Sequence, residues 1–374
     1  MQGPVTIFGL MAAMKKYDAS DLHIRAGLPP YYRIGGYLKE VNSAPLTGDE
    51  TDHLLQPLFN ERLQARFDEN GDVDFAQWDN EGDRFRVNIF RAGGHMNAAI
   101  RRVKSDIPTY EVLHLPPIYE KLISQTHEGL VLVVGVTGCG KSTTLAAMIE
   151  HINETRSKNI ITIEDPVEYH FESRQSIVAQ REIGIDVIDY ASALKYMVRQ
   201  DPDVVFIGEM RDHGTVLAAI QAAETGHLVF GSMHTADTMQ SFNRILEFFP
   251  QSEHGFVRHA LANTLKGICA QRLLPAVEGF EVTRVPATEV LLSNAVVREK
   301  IREGEDEDLP AVINGSLEEG MHSYTWSLAG LVEKEWVTKH DAMIYAPNQS
   351  ALDSALKGLQ VKAQTLVSRV RSSG

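Results

Sequence analysis

Near the middle of the chain stands the octapeptide Gly135-Val136-Thr137-Gly138-Cys139-Gly140-Lys141-Ser142. It fits the pattern G-x-x-x-x-G-K-[ST] at every fixed position, which is the pattern of a phosphate-binding P-loop. The apolar run 130–134 before it predicts a buried parallel strand, and residues 143–149 after it can continue as a helix. Strand, glycine loop and helix in this order are the context that a P-loop requires, so the sequence predicts a nucleotide site here.

The residue types of this loop suit a polyphosphate bound with Mg²⁺. Its glycines allow positive φ and bring backbone N–H groups close to phosphate oxygens, and the helix N-terminus adds partial positive charge. Lys141 is expected to reach the β- and γ-phosphates, and the Ser142 hydroxyl to ligate Mg²⁺. The predicted cofactors are therefore ATP and Mg²⁺. The predicted nucleotide-binding residues in and beside the loop are Gly135, Thr137, Gly138, Cys139, Gly140, Lys141, Ser142 and Thr143.

Two interpretations of Cys139 follow from its place in this loop. A helix N-terminus lowers the pKa of a thiol, which would make the site sensitive to thiol reagents. Alternatively, the small side chain fills a space that would also suit serine. The sequence favours the second interpretation.

Three more apolar runs follow the loop and alternate with helical segments, which is typical of a parallel sheet with crossover helices. The runs are 160–163, 204–207 and 228–233. Glu164 follows the first run, Glu209 follows the second after one glycine, and His234 follows the third. Because the carboxyl ends of parallel strands form the ligand-binding edge of such sheets, we expect these three side chains to lie near the P-loop.

Phosphoryl transfer assigns a role to each of the three. Glu209 is a candidate Walker-B carboxylate that acts through Mg²⁺ or its waters, and Glu164 is a candidate general base, with Asp165 and Glu168 as substitutes. His234 is a candidate for contact with the γ-phosphate. The alternatives are an ordinary acid at a strand end and a structural histidine.

Composition sets bounds on the class of protein. A chain of 374 residues predicts two or three domains, and 43% hydrophobic and 23% charged residues are typical of soluble globular proteins. No apolar run approaches the roughly 20 residues of a membrane span, and the first residues lack a basic segment before an apolar one, so we expect a cytoplasmic protein. The formal net charge of −14 argues against nucleic-acid binding. Two cysteines exclude a four-cysteine zinc site.

The rest of the chain predicts an α/β domain before the P-loop domain and helices after it. Residues 8–14 and 49–67 have helical periodicity, and residues 72–75, 85–90 and 96–100 alternate as antiparallel strands, with Gly93-Gly94 as a hairpin turn. The acidic run 304–308 predicts a solvated linker, followed by helices near 324–334, 341–345 and 351–370. These helices could pack on the core or bind a partner. The predicted boundaries are 1–105 for the N-terminal domain, 106–117 for a linker, 118–303 for the ATPase core and 304–374 for the C-terminal extension.

With these residues laid out, the chain resembles the PilT/PilU family of type IV pilus retraction ATPases, within the secretion ATPase superfamily. Four stretches carry the resemblance over about residues 10–300. They are Ser20–His23 with Pro29-Pro30 and Arg33–Gly36, the Asp-box-like Ile163–Glu168, the Walker-B-like Arg199–Asp212, and the His-box-like Thr225–Thr235. The resemblance implies a PAS-like N-terminal α/β domain followed by a RecA-like P-loop ATPase domain with a helical C-terminal tail. It also adds His227 to the nucleotide-binding residues.

The resemblance further implies a homohexameric ring that powers pilus retraction and twitching motility. ATP would lie between the RecA-like domain of one subunit and the N-terminal domain of the next, whose Arg86 and Arg102 would approach the γ-phosphate in the manner of arginine fingers. The implied partners are an inner-membrane pilus platform protein and, as a further option, a paralogous retraction ATPase. The protein would then lie at the cytoplasmic face of the inner membrane, at the pilus base.

Other functions stay open at this point. Within the superfamily these are an accessory PilU-like ATPase, a pilus assembly or type II secretion ATPase, and a DNA-transfer ATPase. The two cysteines disfavour the assembly class, which usually has a four-cysteine zinc subdomain, and the acidic balance disfavours DNA transfer. From a different class, a ring subunit that binds nucleotide without hydrolysis is disfavoured by the presence of both Glu164 and Glu209.

Overall fold

A computed structural model of the chain describes residues 6–79, 82–197 and 199–358. The chain divides into two compact units, each α/β in composition. The first unit consists of Met1–Asp106, Pro166–Glu172 and Arg181–Asp189. The second consists of Ile107–Asp165, Ser173–Gln180 and Tyr190–Gly374.

The first unit is built on a six-stranded antiparallel sheet with three helices. Its strands are β1 Ala19–Ile24, β2 Tyr31–Ile34, β3 Tyr37–Glu40, β4 Asp72–Trp78, β5 Arg84–Ala92 and β6 His95–Val103, and its helices are α1 Ile7–Lys16, α2 Gly48–Leu55 and α3 Glu61–Asn70. The spatial order of the strands is β3-β2-β1-β6-β5-β4. The predicted 49–67 segment is thus a pair of helices, because Pro57 lies in a short 3₁₀ turn that separates α2 from α3.

Local sequence explains where these elements begin and end. Thr47 and Glu50 form a capping box at the start of α2, and Gly71 takes φ 70° at the end of α3. The turn Gly93-Gly94 joins β5 to β6, both glycines having positive φ, and pairs Ala92 with His95. This tight turn fixes the register of the whole hairpin.

A buried ion pair inside the first unit joins Arg84 on β5, the first strand of that hairpin, to Glu182. Arg84 Nη2 is 2.7 Å from Glu182 Oε2, and their side chains are only 7% and 1% exposed. Burial raises the pKa of Glu182 above its ordinary value, and the neighbouring guanidinium of Arg84 acts in the opposite direction. Since each charge has lost its hydration, each depends on the other.

The second unit is built on a mostly parallel sheet with crossover helices. Its strands are β7 Gly129–Val134, β8 Asn159–Glu164, β9 Ile177–Glu182, whose last two residues belong to the first unit, β10 Val204–Ile207, β11 Leu228–Met233, β12 Leu265–Pro275 and β13 Arg284–Leu292. Its helices are α4 Ile118–Gln125, α5 Lys141–Thr155, α6 Tyr190–Met197, α7 His213–Glu224, α8 Thr238–Glu247, α9 His254–Thr264, α10 Ala295–Glu303, α11 Leu309–Gly315, α12 Tyr324–Glu333 and α13 Lys339–Tyr345, followed by helical residues 349–358.

The order of the strands determines which chain segments meet. It is β13-β12-β7-β11-β10-β8-β9, in which β12, β7, β11, β10 and β8 pair in parallel and β13 is antiparallel to β12. Strands β7, β10 and β11 are buried along their whole length, which explains their continuous apolar sequences. The four core strands that the sequence predicts are confirmed, while β3, β9, β12 and β13 were not predicted.

The C-terminal segment packs on the core of the second unit. Tyr324 and Leu328 of α12 are buried, and His322 Nε2 lies 2.8 Å from Thr288 Oγ1 of β13. The prediction of a solvated acidic linker is wrong for Asp306, which is 6% exposed and bonds Arg258 through both carboxylate oxygens at 2.8 and 2.7 Å. The predicted helix end near 370 lies outside the described residues. No helix within the part of the chain that the structure describes is long and apolar enough to cross a bilayer.

The buried ion pair yields a prediction about stability. Arg84→Ala removes the nearest positive charge from the buried Glu182 carboxylate and leaves only Arg86, 3.7 Å away, so we expect a loss of about 3 kcal/mol in free energy of unfolding. The matched control is Arg33→Ala, whose partner Asp21 is 3.6 Å away and whose side chain is 37% exposed, with an expected loss under about 1 kcal/mol. Urea denaturation followed by circular dichroism measures both. Equal losses in the two variants would contradict the assignment.

Candidate active site

The P-loop has the backbone geometry of an anion site. It joins the end of β7 to the start of α5, and Gly138 and Gly140 take φ 78° and 91°. The residue at the N-cap of α5 is Gly140, which has no side chain to cap the helix. A Cβ on Gly138 would meet nothing within 4 Å, which shows open space next to the loop. Glycines with positive φ, a helix N-terminus and open space together suit a phosphate chain.

Lys141 lies folded over this loop. Its Nζ donates to the carbonyl oxygens of Gly135 at 2.9 Å and Val136 at 3.3 Å, and lies 3.5 Å from His234 Nδ1. The residue is only 8% exposed, so its charge is held inside the loop rather than in solvent. A short movement would exchange these carbonyls for phosphate oxygens, which bind an ammonium more strongly.

Gln271 on β12 holds the P-loop from behind, and sequence reasoning missed it. Its side chain is buried, donates from Nε2 to Cys139 O at 2.7 Å and accepts from Thr144 Oγ1 at 3.0 Å. A Cβ on Gly135 would lie 2.5 Å from the Gln271 carbonyl oxygen, so only glycine fits there. The signal of Gln271 in the sequence is a polar residue within an apolar strand, which belongs to no motif.

Cys139 is an inert, space-filling residue of the loop. It is 2% exposed, and burial raises the pKa of its thiol despite the nearby Lys141. Burial and the raised pKa of the thiol therefore argue against the hypothesis of a reactive thiol. Its Sγ lies 2.4 Å from where a Gly135 Cβ would be, which agrees with the alternative of a side chain that fills a small space.

Glu164 lies at the carboxyl end of β8 with its carboxylate fixed by neighbours. It is 5% exposed, and Oε1 accepts from Thr162 Oγ1 at 2.7 Å and from Gln180 Nε2 at 3.1 Å. Two donors on one oxygen orient the carboxylate, as a positioned base requires.

Glu209 and His234 end the two strands between the P-loop strand and β8. His234 Nε2 is 3.6 Å from Glu209 Oε1, and its Nδ1 is 3.3 Å from Thr137 Oγ1 in the P-loop. The side chains are 35% exposed for Glu209 and 43% for His234. Lys141, Thr137, His234 and Glu209 therefore form a continuous set of polar contacts along the carboxyl edge of the sheet.

The carboxylate and the hydroxyl predicted to hold Mg²⁺ fit that ion. Glu209 is accessible and is an oxygen donor, and Ser142 is half-buried in the first turn of α5. Oxygen ligands with room for retained waters are what Mg²⁺ prefers. Thr143 is also half-buried in that turn.

His227 lies far from the loop, contrary to the expectation that it binds nucleotide. It precedes β11, whereas the P-loop and His234 are at the other end of the sheet, about 20 Å away for a six-residue strand. Its Nδ1 lies 2.9 Å from Ala222 O and 3.0 Å from Thr225 Oγ1. These contacts join the end of α7 to the start of β11, which is a structural role.

In the first unit, the two arginines predicted to act on a neighbouring subunit lie on opposite faces of the sheet. Arg86 pairs with Arg101 across β5 and β6, while Arg102 pairs with Phe85. Arg102 Nε is 3.3 Å from Asp83 Oδ2, and its side chain is 9% exposed, against 65% for Arg101.

Arg101 is therefore better placed than Arg102 to meet an anion beside Arg86. Arg86, Arg101, Arg102 and Lys104 all border a cavity of about 520 Å³ in this unit. Both Arg101 and Arg102 pair with a buried aspartate, Asp21 and Asp83, so it is the exposure of the Arg101 side chain that distinguishes the two. The register of the Gly93-Gly94 hairpin was the sequence signal that could have identified Arg101.

The Gln271 contacts yield a prediction about nucleotide affinity. Gln271→Ala removes the donor to Cys139 O and the acceptor of Thr144, so the loop loses its support from β12. We expect affinity for ADP to fall about tenfold, the equivalent of one buried hydrogen bond. Isothermal titration measures it. The matched control, Gln221→Ala on the exposed face of α7, should bind ADP normally. Unchanged affinity in Gln271→Ala would refute the role.

Comparison with known proteins agrees with this site and fold. The family described as type II/IV secretion system protein matches residues 85–303. The type IV pilus retraction ATPase PilT of Pseudomonas aeruginosa is 37% identical over 333 residues, 89% of this chain and 96% of that protein. The type IV pilus ATPase PilU of the same organism is 38% identical over 348 residues, 93% of this chain and 90% of that protein.

A solved structure shows the same fold. The crystal structure of the pilus retraction motor PilT with bound ADP matches with a TM-score of 0.85 and 40% identity, and covers 94% of this chain and 100% of that one. The chain therefore belongs to the type II/IV secretion system protein family, and within it to the P-loop ATPases that include PilT and PilU.

Proposed function

We propose that this protein is the hexameric motor that powers type IV pilus retraction, and with it twitching motility, by hydrolysing ATP. The observation that carries the proposal is the convergence of Lys141, His234, Glu209 and Glu164 at the carboxyl ends of four adjacent strands. This convergence occurs in a chain that resembles retraction motors over nearly its whole length.

Binding of ATP rests on the loop and on Lys141. Backbone N–H groups of the P-loop and the first turn of α5 bind the phosphates, and Lys141 exchanges its carbonyl partners for phosphate oxygens. Ser142 and Glu209 would hold Mg²⁺, and the bound ion would supply positive charge to the phosphates.

Hydrolysis needs an oriented water and a sensor for the γ-phosphate. Glu164 accepts a proton from the attacking water, and its fixed carboxylate supports this role because a positioned base need not reorient. His234 contacts Thr137 in the loop and Glu209 beside it, so it is placed to respond when the terminal phosphate binds or leaves.

In the ring, the N-terminal unit of the neighbouring subunit supplies positive charge to the γ-phosphate. Arg86 takes this role together with Arg101, which is preferred to Arg102 because it shares the face of Arg86 and its side chain is far more exposed. Charge supplied from a neighbour makes hydrolysis depend on assembly, as an arginine finger does.

We propose an inner-membrane platform protein of the pilus as the partner that receives the motion, and the cytoplasmic face of the pilus base as the location. The alternative is the accessory PilU-like role, since PilU is also among the relatives of this chain. A paralogous retraction ATPase would then be a further partner.

Removal of the Glu209 carboxylate tests the catalytic assignment. Glu209→Gln should bind ATP with near-normal affinity but turn it over at least about 100-fold more slowly, because the amide no longer carries the charge that holds Mg²⁺ and its waters. The matched control is Glu247→Gln, an exposed residue on α8, which should be fully active. Full activity in Glu209→Gln would exclude the assignment.

The same variant in host cells tests the biological role. Extra surface pili without movement would support a retraction motor, whereas cells without pili would indicate assembly. Normal pili with normal movement would indicate an accessory ATPase or a different machine.

Mixed rings test the action of arginine between subunits. Arg86→Ala and Lys141→Ala should each be inactive alone, but mixtures should regain activity, because some interfaces combine an intact loop with an intact arginine. Turnover measured against mixing ratio shows this. If no ratio restores activity, the site does not draw on a neighbouring subunit.

A further inference from the structure

A buried hydroxyl next to the proposed catalytic carboxylates has no evident structural purpose. Tyr190 is the first residue of α6 and is 5% exposed. Among the residues that the structure describes, its hydroxyl finds no hydrogen-bond partner. An unsatisfied buried hydroxyl costs stability, so phenylalanine would be the more stable residue here. Such a cost at an active site is a sign of function.

The hydroxyl faces the backbone that carries Glu209. A Cβ built on Gly208 would lie 3.2 Å from the Tyr190 oxygen and 3.2 Å from Glu164 Cα. A side chain at position 208 would therefore lie between the hydroxyl and the ends of β8 and β10. Glycine leaves that space open. The N–H of Gly208 donates to Ile163 O at 2.8 Å, which holds this approach in place.

The charged groups around the hydroxyl are mostly carboxylates. Burial first, and then Asp165, Glu209 and Glu164, raise the pKa of Tyr190, while Arg211 acts in the opposite direction. Tyr190 thus keeps its proton at neutral pH and is a donor in acidic surroundings. The guanidinium carbon of Arg211 lies 5.8 Å from the centre of the Tyr190 ring.

Of the three carboxylates, Glu209 has the most capacity for a new bond. Glu164 already accepts from Thr162 and Gln180, and Asp165 faces Arg211 at 3.8 Å. Glu209 is one-third exposed, and its contact with His234, at 3.6 Å, is longer than a hydrogen bond.

We propose that Tyr190 is a positioning residue of the ATPase site, and that its hydroxyl donates a hydrogen bond to the Glu209 carboxylate when that side chain leaves His234. The inference rests on the catalytic role proposed for Glu209. His234 is then free to turn to the terminal phosphate, while Glu209 keeps a fixed position because Tyr190 replaces the lost partner. Tyr190 touches neither the nucleotide nor the attacking water and acts only through Glu209.

The test is Tyr190→Phe, which keeps the ring and removes only the hydroxyl. We expect kcat to fall about tenfold with the KM for ATP unchanged, because one positioning bond is lost and nucleotide binding is not touched. We also expect Tm to rise by about 2–4 °C, because an unsatisfied buried hydroxyl is gone.

Tyr110→Phe is the matched control. Tyr110 lies in the same unit, is 7% exposed, and its hydroxyl is likewise without a hydrogen-bond partner in the described part of the chain. It should gain a similar Tm and keep its kcat. A normal kcat in Tyr190→Phe would overturn the proposal, and so would a lowered Tm together with a lowered kcat, since that indicates lost packing.

A double variant shows whether Tyr190 acts through Glu209. Single-turnover rates are compared for Glu209→Ala with and without Tyr190→Phe, and the second change should have no further effect if the two residues act as a unit. A further tenfold loss would overturn the inference. If Glu209→Ala alone retains turnover, the role of Glu209 fails. If Glu209→Ala is inactive and Tyr190→Phe is normal, only the role of Tyr190 fails.

Discussion

A loop that turns its N–H groups toward a ligand must turn its carbonyl groups inward, and each buried carbonyl then needs a donor. In this protein two side chains supply those donors: Lys141 for Gly135 and Val136, and Gln271 for Cys139. The second donor belongs to β12, so the shape of the loop depends on the neighbouring strand as well as on its own glycines. The phosphate site is thus a property of the sheet, and the rest of the second unit is arranged around it.

The strand order determines where the polar residues of the site lie relative to the P-loop. The P-loop strand β7 and the Glu164 strand β8 are consecutive in sequence but are separated in space by β11 and β10. These two strands place His234 and Glu209 between the loop and Glu164. The residues proposed as phosphate sensor and metal ligand therefore stand between the loop and the proposed base without any long side chain reaching across the site. Parallel pairing makes this possible, because it brings all four strand ends to one edge.

Features that depend on residues close together in the sequence could be predicted, whereas contacts between distant segments could not. The P-loop, the four core strands and the residues after them follow from local pattern, and the structure contains them where the pattern predicts. The role of Gln271 was not predicted, because it contacts a segment more than a hundred positions away in the chain and no local pattern encodes that contact. Arg102 was implied by resemblance, and it lies on the opposite face of the sheet from Arg86, because the face of a strand residue changes with each step in register. His227 was added by resemblance alone. It precedes β11, whereas the P-loop lies near the other end of that strand.

The bond between Arg258 and Asp306 changes how the C-terminal segment should be understood. In sequence this segment looks like an appendage joined by acidic residues, but Asp306 neutralises a guanidinium on α9, and α12 covers β13 with buried Tyr324 and Leu328. Segments that share a buried charge pair and an apolar layer open and close together. Divergence in these helices is therefore constrained from inside the motor domain, and only their outward surfaces are free to acquire new partners during evolution.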